Sequence, residues 1–167
     1  FAVYEDYKFH LYGVEEGMDA NSVRSVCEGE DGEIYIGTTG KTAVLYPDGT
    51  IHQPEGLSEV SYVNSMTDEY DGVIAGVTND GVLFFQKDET ITYKESLPSA
   101  DGGYYTCVYR TKTGEYLVGT SNKKLVKFSQ TSGEIKKERI IHITGITSLR
   151  SIAGDRQGQI WLCADDG

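Results

Sequence analysis

Apolar residues along this chain come in short bursts set between polar turns, and the bursts recur in phase. A polar turn ending in Gly precedes each one. Glu30-Asp31-Gly32, Tyr70-Asp71-Gly72, Lys112-Thr113-Gly114 and Arg156-Gln157-Gly158 lead into apolar runs at 34–36, 73–75, 116–118 and 160–162. A Gly or Gly-Thr step closes the runs at Gly37-Thr38, Gly76 and Gly119-Thr120, and Cys163 takes that place in the last copy. The turn glycines stand 40, 42 and 44 residues apart, a period that signals one supersecondary unit repeated.

Aligned on those glycines, each copy holds four strand-like segments. The first lie at 23–27, 63–67, 106–109 and 149–153, the second are the apolar runs above, the third lie at 43–46, 82–85 and 125–128, and the fourth at 50–52, 90–93 and 134–136. Pro47-Asp48-Gly49, Lys87-Asp88-Glu89 and Thr131-Ser132-Gly133 join third to fourth and carry the residues that tight hairpins need. The first three strands are apolar and the fourth is wetter, as expected of four-stranded antiparallel blades that bury their faces against each other. The pattern therefore predicts an all-β chain, a β-propeller with blades of about 40–44 residues. Segments 1–4 and 8–12 match a third and a fourth strand, so the predicted order is an outer half blade at 1–12, whole blades at 22–53, 62–94 and 104–140, and an inner half blade at 148–167. Two arrangements fit these ends: the halves pair to close a four-bladed ring, or the segment is a phase-matched excerpt of a larger propeller. The excerpt is the reading adopted, because any periodic sequence cut at a multiple of its period has matching ends.

Composition narrows the function classes. The chain of 167 residues carries 26 acidic and 15 basic residues, a net charge of −11, and such a field repels nucleic acid. No stretch approaches the roughly 20 apolar residues that span a bilayer, and no signal peptide is visible; membrane contact by this segment is not expected. The first residue is Phe1, which suggests a portion of something longer. Cys27, Cys107 and Cys163 lack the close spacing of a zinc or redox motif and read as small buried residues. By alignment, Cys107 shares a column with Ser25, Ser65 and Ser151.

The Asp-Gly-Glu-Ile-Tyr-Ile-Gly-Thr run at 31–38, Gly-Gln-Ile-Trp-Leu at 158–162, Ser-Val-Arg-Ser-Val at 22–26 and the Gly56-Leu57 step resemble two-component regulator propeller repeats. Departures from that pattern are Tyr35 and Leu117 where the repeat carries Trp, and the loss of Gly-Thr at 163–164. The resemblance implies an extracytoplasmic, periplasmic or cell-surface sensor module, followed in the full protein by a β-sandwich, a membrane helix and a histidine kinase or diguanylate cyclase domain.

No catalytic constellation can be assembled. His10, His52 and His142 fall in separate blades without an i,i+4 pair or a nearby Cys cluster, Gly40-Lys41-Thr42 lacks the preceding spacing of a phosphate loop, and the Asp-Gly turns recur for backbone reasons. No catalytic residue, metal site or cofactor is expected. In a propeller, the loops that enter the innermost strand and those that join the second strand to the third share one face. This places Asn21, Arg24, Tyr62, Asn64, Tyr104, Tyr105 and Arg150 as candidate contacts for a small polar ligand such as a carbohydrate, by stacking and hydrogen bonding. Arg24 and Arg150, at the starts of inner strands, are suited either to an anion or to acidic partners on neighbouring blades. The function expected is a non-enzymatic sensory propeller acting on a downstream domain, in a homodimer for instance; a protein–protein scaffold, or a propeller lyase or glycosidase, is the alternative.

Overall fold

The computed structural model describes residues 1–166; Gly167, the end of the expected last half blade, lies outside them. Sixteen strands form five antiparallel sheets among these residues. β1 (Ala2–Glu5) and β2 (Lys8–Leu11) make a two-stranded sheet. Blade 1 follows as β3 (Val23–Glu28), β4 (Ile34–Thr38), β5 (Ala43–Leu45) and β6 (Ile51–His52). Blade 2 is β7 (Val63–Met66), β8 (Val73–Thr78), β9 (Val82–Lys87) and β10 (Thr90–Ser96). Blade 3 is β11 (Tyr105–Arg110), β12 (Tyr116–Thr120), β13 (Lys124–Thr131) and β14 (Glu134–His142). β15 (Leu149–Gly154) and β16 (Ile160–Ala164) close the order as a second two-stranded sheet.

Within each whole blade the strands pair in chain order, and the first strands of successive blades lie against one another. The blades therefore radiate from the side of β3, β7, β11 and β15. The two-stranded sheets at either end remain separate, with no pairing between β1 and β16.

The core is laid down between sheets. Blades 2 and 3 meet through Val73, Ala75, Leu83 and Phe85 from one side and Tyr105, Val108, Tyr116, Val118 and Phe128 from the other. Phe85 sits edge-on to Tyr116 at 4.9 Å between ring centroids and 5.9 Å from Phe128, the geometry that ring quadrupoles favour. Blades 1 and 2 meet over Cys27, Tyr35, Val44, Val63, Ile74 and Phe84. Burial among apolar groups and the nearby Asp68, Glu69 and Glu33 push the Cys27 thiol upward, so it stays protonated.

The strand register corrects one alignment. Ser25 pairs with Gly37, Ser65 with Val77, Cys107 with Gly119 and Ser151 with Cys163. Val77, not Gly76, therefore occupies the Gly37 column, and the second blade's run matches one residue later than its closing glycine suggests. Gly76 serves a different end: a Cβ there would lie 2.3 Å from the Phe84 ring, so its bareness makes room for that aromatic. The outer strand of blade 3 is another departure, reaching His142 rather than ending at 136, and β13 is longer at both ends. Cys27 and Cys107 are buried as expected, but Cys163 is exposed, because it points from the outward face of the last sheet, which no further sheet covers.

Candidate functional site: the bulged inner strands

Every inner strand carries the same irregularity. The pairing slips by one residue between Val23 and Ser25, between Val63 and Ser65, between Tyr105 and Cys107, and between Leu149 and Ser151. Each slip is a β-bulge, whose extra residue is left out of the ladder and whose side chain is re-aimed. The four extra residues are Arg24, Asn64, Thr106 and Arg150. They stand at one level near the start of the inner strands, one per blade.

The same end of the blades is closed by a repeated backbone bond from the loop between second and third strands to the loop entering the first. Thr39 N donates to Ser22 O at 2.9 Å, Asn79 N to Tyr62 O at 2.8 Å, Ser121 N to Tyr104 O at 2.9 Å and Asp165 N to Ser148 O at 3.1 Å. The Thr of each Gly-Thr step, or Thr78 in blade 2, secures the adjoining loop. Thr38 donates to Lys41 O and Thr120 to Lys124 O, both at 2.8 Å, while Val82 N donates to Thr78 Oγ1 at 3.0 Å. The shared face expected from chain direction is thus held by one bonding scheme in every blade.

Of the residues expected to touch a ligand, Arg24, Tyr62 and Asn64 come together. Arg24 lies 5.3 Å from the Tyr62 ring centroid and donates from Nε to Asn64 Oδ1 at 3.3 Å, and Asn64 Nδ2 donates to Asn79 Oδ1 at 3.2 Å. Tyr62 has φ 54°, a left-handed backbone that is uncommon outside glycine and is held here by its loop. Beside it opens a cleft of about 520 Å³, walled by Tyr62, Asn79, Asp80, Glu59, Lys94 and Ser96. A second cleft of about 530 Å³ runs along β7, β11 and β15 and takes in Asn64, Thr106, Ser151, Arg110 and Arg150. Hydroxyl and amide groups line both; carboxylates and Lys94 add charge to the first, and the guanidinium groups of Arg110 and Arg150 add it to the second, so both surfaces are suited to hydrogen bonding. Among the described residues no three His, Cys, Asp or Glu side chains are grouped to hold a metal ion.

The other candidates have local partners of their own. Asn21 Oδ1 accepts from Val14 N at 2.9 Å and ties down the 3-10 turn at Val14–Glu16. Tyr104 is exposed but lies across Gly81, where a Cβ would come within 2.4 Å of its own Cβ. Arg150 forms a two-pronged pair with Asp165, one prong being Nη2 to Oδ2 at 2.8 Å. That pairing holds the Asp165 carboxyl below the usual range.

Tyr105 is a correction. It is fully buried, 0% exposed, because its aromatic ring faces blade 2 and fills the core there. Its hydroxyl donates to Glu95, which also accepts from Tyr93 at 2.6 Å and pairs with Lys137 Nζ at 2.6 Å. Burial works against the Glu95 charge, but bonds from Lys137, Tyr105 and Tyr93 prevail and hold its carboxyl below the ordinary range. This four-residue hub staples β10 to β11 and β14.

Thr106 was missed, since aromatic content drew the expectation to its neighbours. The signal lay in the alignment: Thr106 stands one place before Cys107, as Arg24, Asn64 and Arg150 stand before Ser25, Ser65 and Ser151.

Comparison with known proteins sets this geometry in context. Residues 17–40 match the family model described as "Two component regulator propeller", a span that takes in Arg24 and the Gly37-Thr38 step. None of the curated proteins matches the chain. Among solved structures it is similar to the extracellular domain of BT4673 from B. thetaiotaomicron, assigned to a one component system, at TM-score 0.73 and 20% identity over 96% of this chain and 23% of that one. It is similar also to the extracellular domain of BT3049 from B. thetaiotaomicron, assigned to a hybrid two component system, at TM-score 0.72 and 19% identity over 96% of this chain and 23% of that one. The WD40 beta propeller domain of Doa1 aligns at TM-score 0.68 and 13% identity, over 90% of this chain and 50% of that one. The chain thus spans about a quarter of the first two structures. It is a stretch of β-propeller in which the resemblance to two component regulator propeller repeats is borne out at residues 17–40.

Proposed function

We propose that this chain is the ligand-sensing part of an extracytoplasmic propeller in a transmembrane signalling protein, and that it acts without catalysis of its own. The observation that carries the reading is the family match at residues 17–40, since that span includes the first bulged inner strand. The likeness to extracellular domains assigned to one and two component systems supports the location and a downstream kinase-type domain in the same chain. A diguanylate cyclase would serve the same relay. The ligand is small and polar, a carbohydrate for instance, bound by Arg24, Asn64, Tyr62 and Asn79 over the mouth of the inner strands.

In this reading the segment is also an excerpt of a larger ring. The column two residues before Gly37, Val77, Gly119 and Cys163 holds Tyr35, Ala75, Leu117 and Trp161; the first three are 4%, 0% and 8% exposed beneath the next blade, whereas Trp161 is 62% exposed. A further blade placed against β15 and β16 would cover Trp161 as its equivalents are covered.

Calorimetric titration of the protein with a panel of neutral and acidic oligosaccharides tests the ligand. The reading requires at least one binder whose affinity falls about tenfold or more when Arg24→Ala and Asn64→Ala are combined, the size of effect expected for two hydrogen-bonding contacts. Binding untouched by that double change would move the site elsewhere.

A further inference from the structure

The charge of this molecule is segregated. Residues 1–100 hold 19 of the 26 carboxylates and 5 of the 15 basic residues, leaving 7 and 10 in residues 101–167, a balance of −14 against +3. Much of the basic half is concentrated at 123–139, with Lys123, Lys124, Lys127, Lys136, Lys137 and Arg139 against Glu134 and Glu138; of these, Lys127 pairs with Glu115 and Lys137 with Glu95. These residues lie on β13 and β14 or at their start, the outer wall of blade 3.

The outer edges of the three whole blades are not alike. β6 is only two residues long. β10 has the 3-10 turn at Glu55–Leu57 packed against its start, where a Cβ on Gly56 would come within 2.4 Å of Glu89 O and 3.0 Å of Thr90 Oγ1. β14 runs for nine residues, pairs with β13 on one side, and among the described residues receives no backbone hydrogen bond on the other. A row of unpaired amides and carbonyls of that length is a template for another strand. On this strand Lys136 keeps its side chain 75% exposed, its carboxylate partner Glu138 no nearer than 3.7 Å, and Ile140 adds an exposed apolar side chain.

We infer that the outer edge of β14 docks an acidic, extended polypeptide segment of a partner protein by strand addition. Backbone pairing supplies affinity and alternate side chains supply choice, as in other strand-addition complexes. Opposite charge brings the partner to the basic wall and away from the acidic blades, so attraction sets the encounter and weakens with salt. The edge is the reason to name a polypeptide: a sulfated polysaccharide offers charge but no main-chain ladder of amides and carbonyls to pair with a strand. This docking is independent of the ligand reading, because β14 lies on the outside of the blade and the bulge residues on the inside.

The probe is a fluorescent peptide of alternating Glu and Val, roughly eight residues to match the strand, followed by fluorescence polarisation. Three arms accompany it: the same peptide N-methylated at alternate amides, a sulfated polysaccharide of equal charge, and the Lys136→Glu protein with its fold checked by circular dichroism. The peptide should bind and be released by salt. N-methylation should weaken binding about tenfold, the effect of losing two or three main-chain hydrogen bonds, and Lys136→Glu should weaken it severalfold. Equal binding by the N-methylated peptide, preference for the polysaccharide, or no binding by the parent peptide would each overturn the inference; the first two arms need no altered protein.

Discussion

Glycine and threonine explain more of the repeat than its aromatic residues do. Gly37 and Gly119 are bare because the next inner strand comes against them: a Cβ would meet Val63 O at 2.6 Å and Leu149 Cβ at 2.9 Å. Gly76→Ala should destabilise by about 1–3 kcal/mol, as Phe84 is forced from its rotamer, and urea unfolding would read this as a lower midpoint with an unchanged slope. Glu95 offers a second test. Its carboxyl is held below the unfolded value, so the stability it contributes is present above about pH 4.3, the unfolded reference, and is lost as pH falls through the folded value. Tyr105→Phe should cost about 1–2 kcal/mol at neutral pH and flatten that acid limb; an unaltered pH dependence would show that Glu95 is not the group responsible. Sequence made Arg24 and Asn64 legible as equivalents, because their columns line up, and set Tyr62 on the same face. It misplaced Tyr105 because an aromatic at a loop boundary reads equally as a surface contact or a core residue, and the bulge that turns Tyr105 inward and Thr106 outward leaves no mark in hydrophobicity.

Elements were legible where two faces are buried and blurred where only one is. β4, β8 and β12 stand inside their sheets, and their apolar runs announced them. β14 was cut short in the sequence reading because Lys-Lys-Glu-Arg carries no strand alternation; the strand persists because β13 supplies its hydrogen bonds and Ile135 and Ile141 still pack inward. The Thr at the end of each second strand is an element-scale device, bonding the loop that fixes where the third strand begins. Thr120→Val keeps the shape but leaves Lys124 N without the hydroxyl it donates to at 2.9 Å. The cost should be about 1–2 kcal/mol, seen as loss of hydrogen-exchange protection at the β12–β13 junction. Unchanged protection there would mean that the backbone alone holds the turn.

At the scale of the whole molecule the period was readable from glycine spacing, and the all-β propeller followed from it. What the period could not give is the state of the outer faces, since a repeated sequence carries the same code at an inner blade and at a terminal one. Trp161, the single Trp in the chain, reports on this directly. It donates from Nε1 to Asp155 Oδ2 at 3.1 Å yet stays mostly exposed, so acrylamide should quench it readily in this segment and poorly in a longer portion of the protein that adds the next blade. Equal quenching in both would remove the excerpt reading while leaving the fold intact.

The radiating arrangement itself is tested most directly by inter-blade nuclear Overhauser contacts in solution. Gly37 α-protons should see Val63, and Gly119 α-protons should see Leu149, each pair joining the second strand of one blade to the inner strand of the next. Absence of both contacts, with cross-peaks instead linking the faces of non-successive blades as in a two-layer sandwich, would contradict the account.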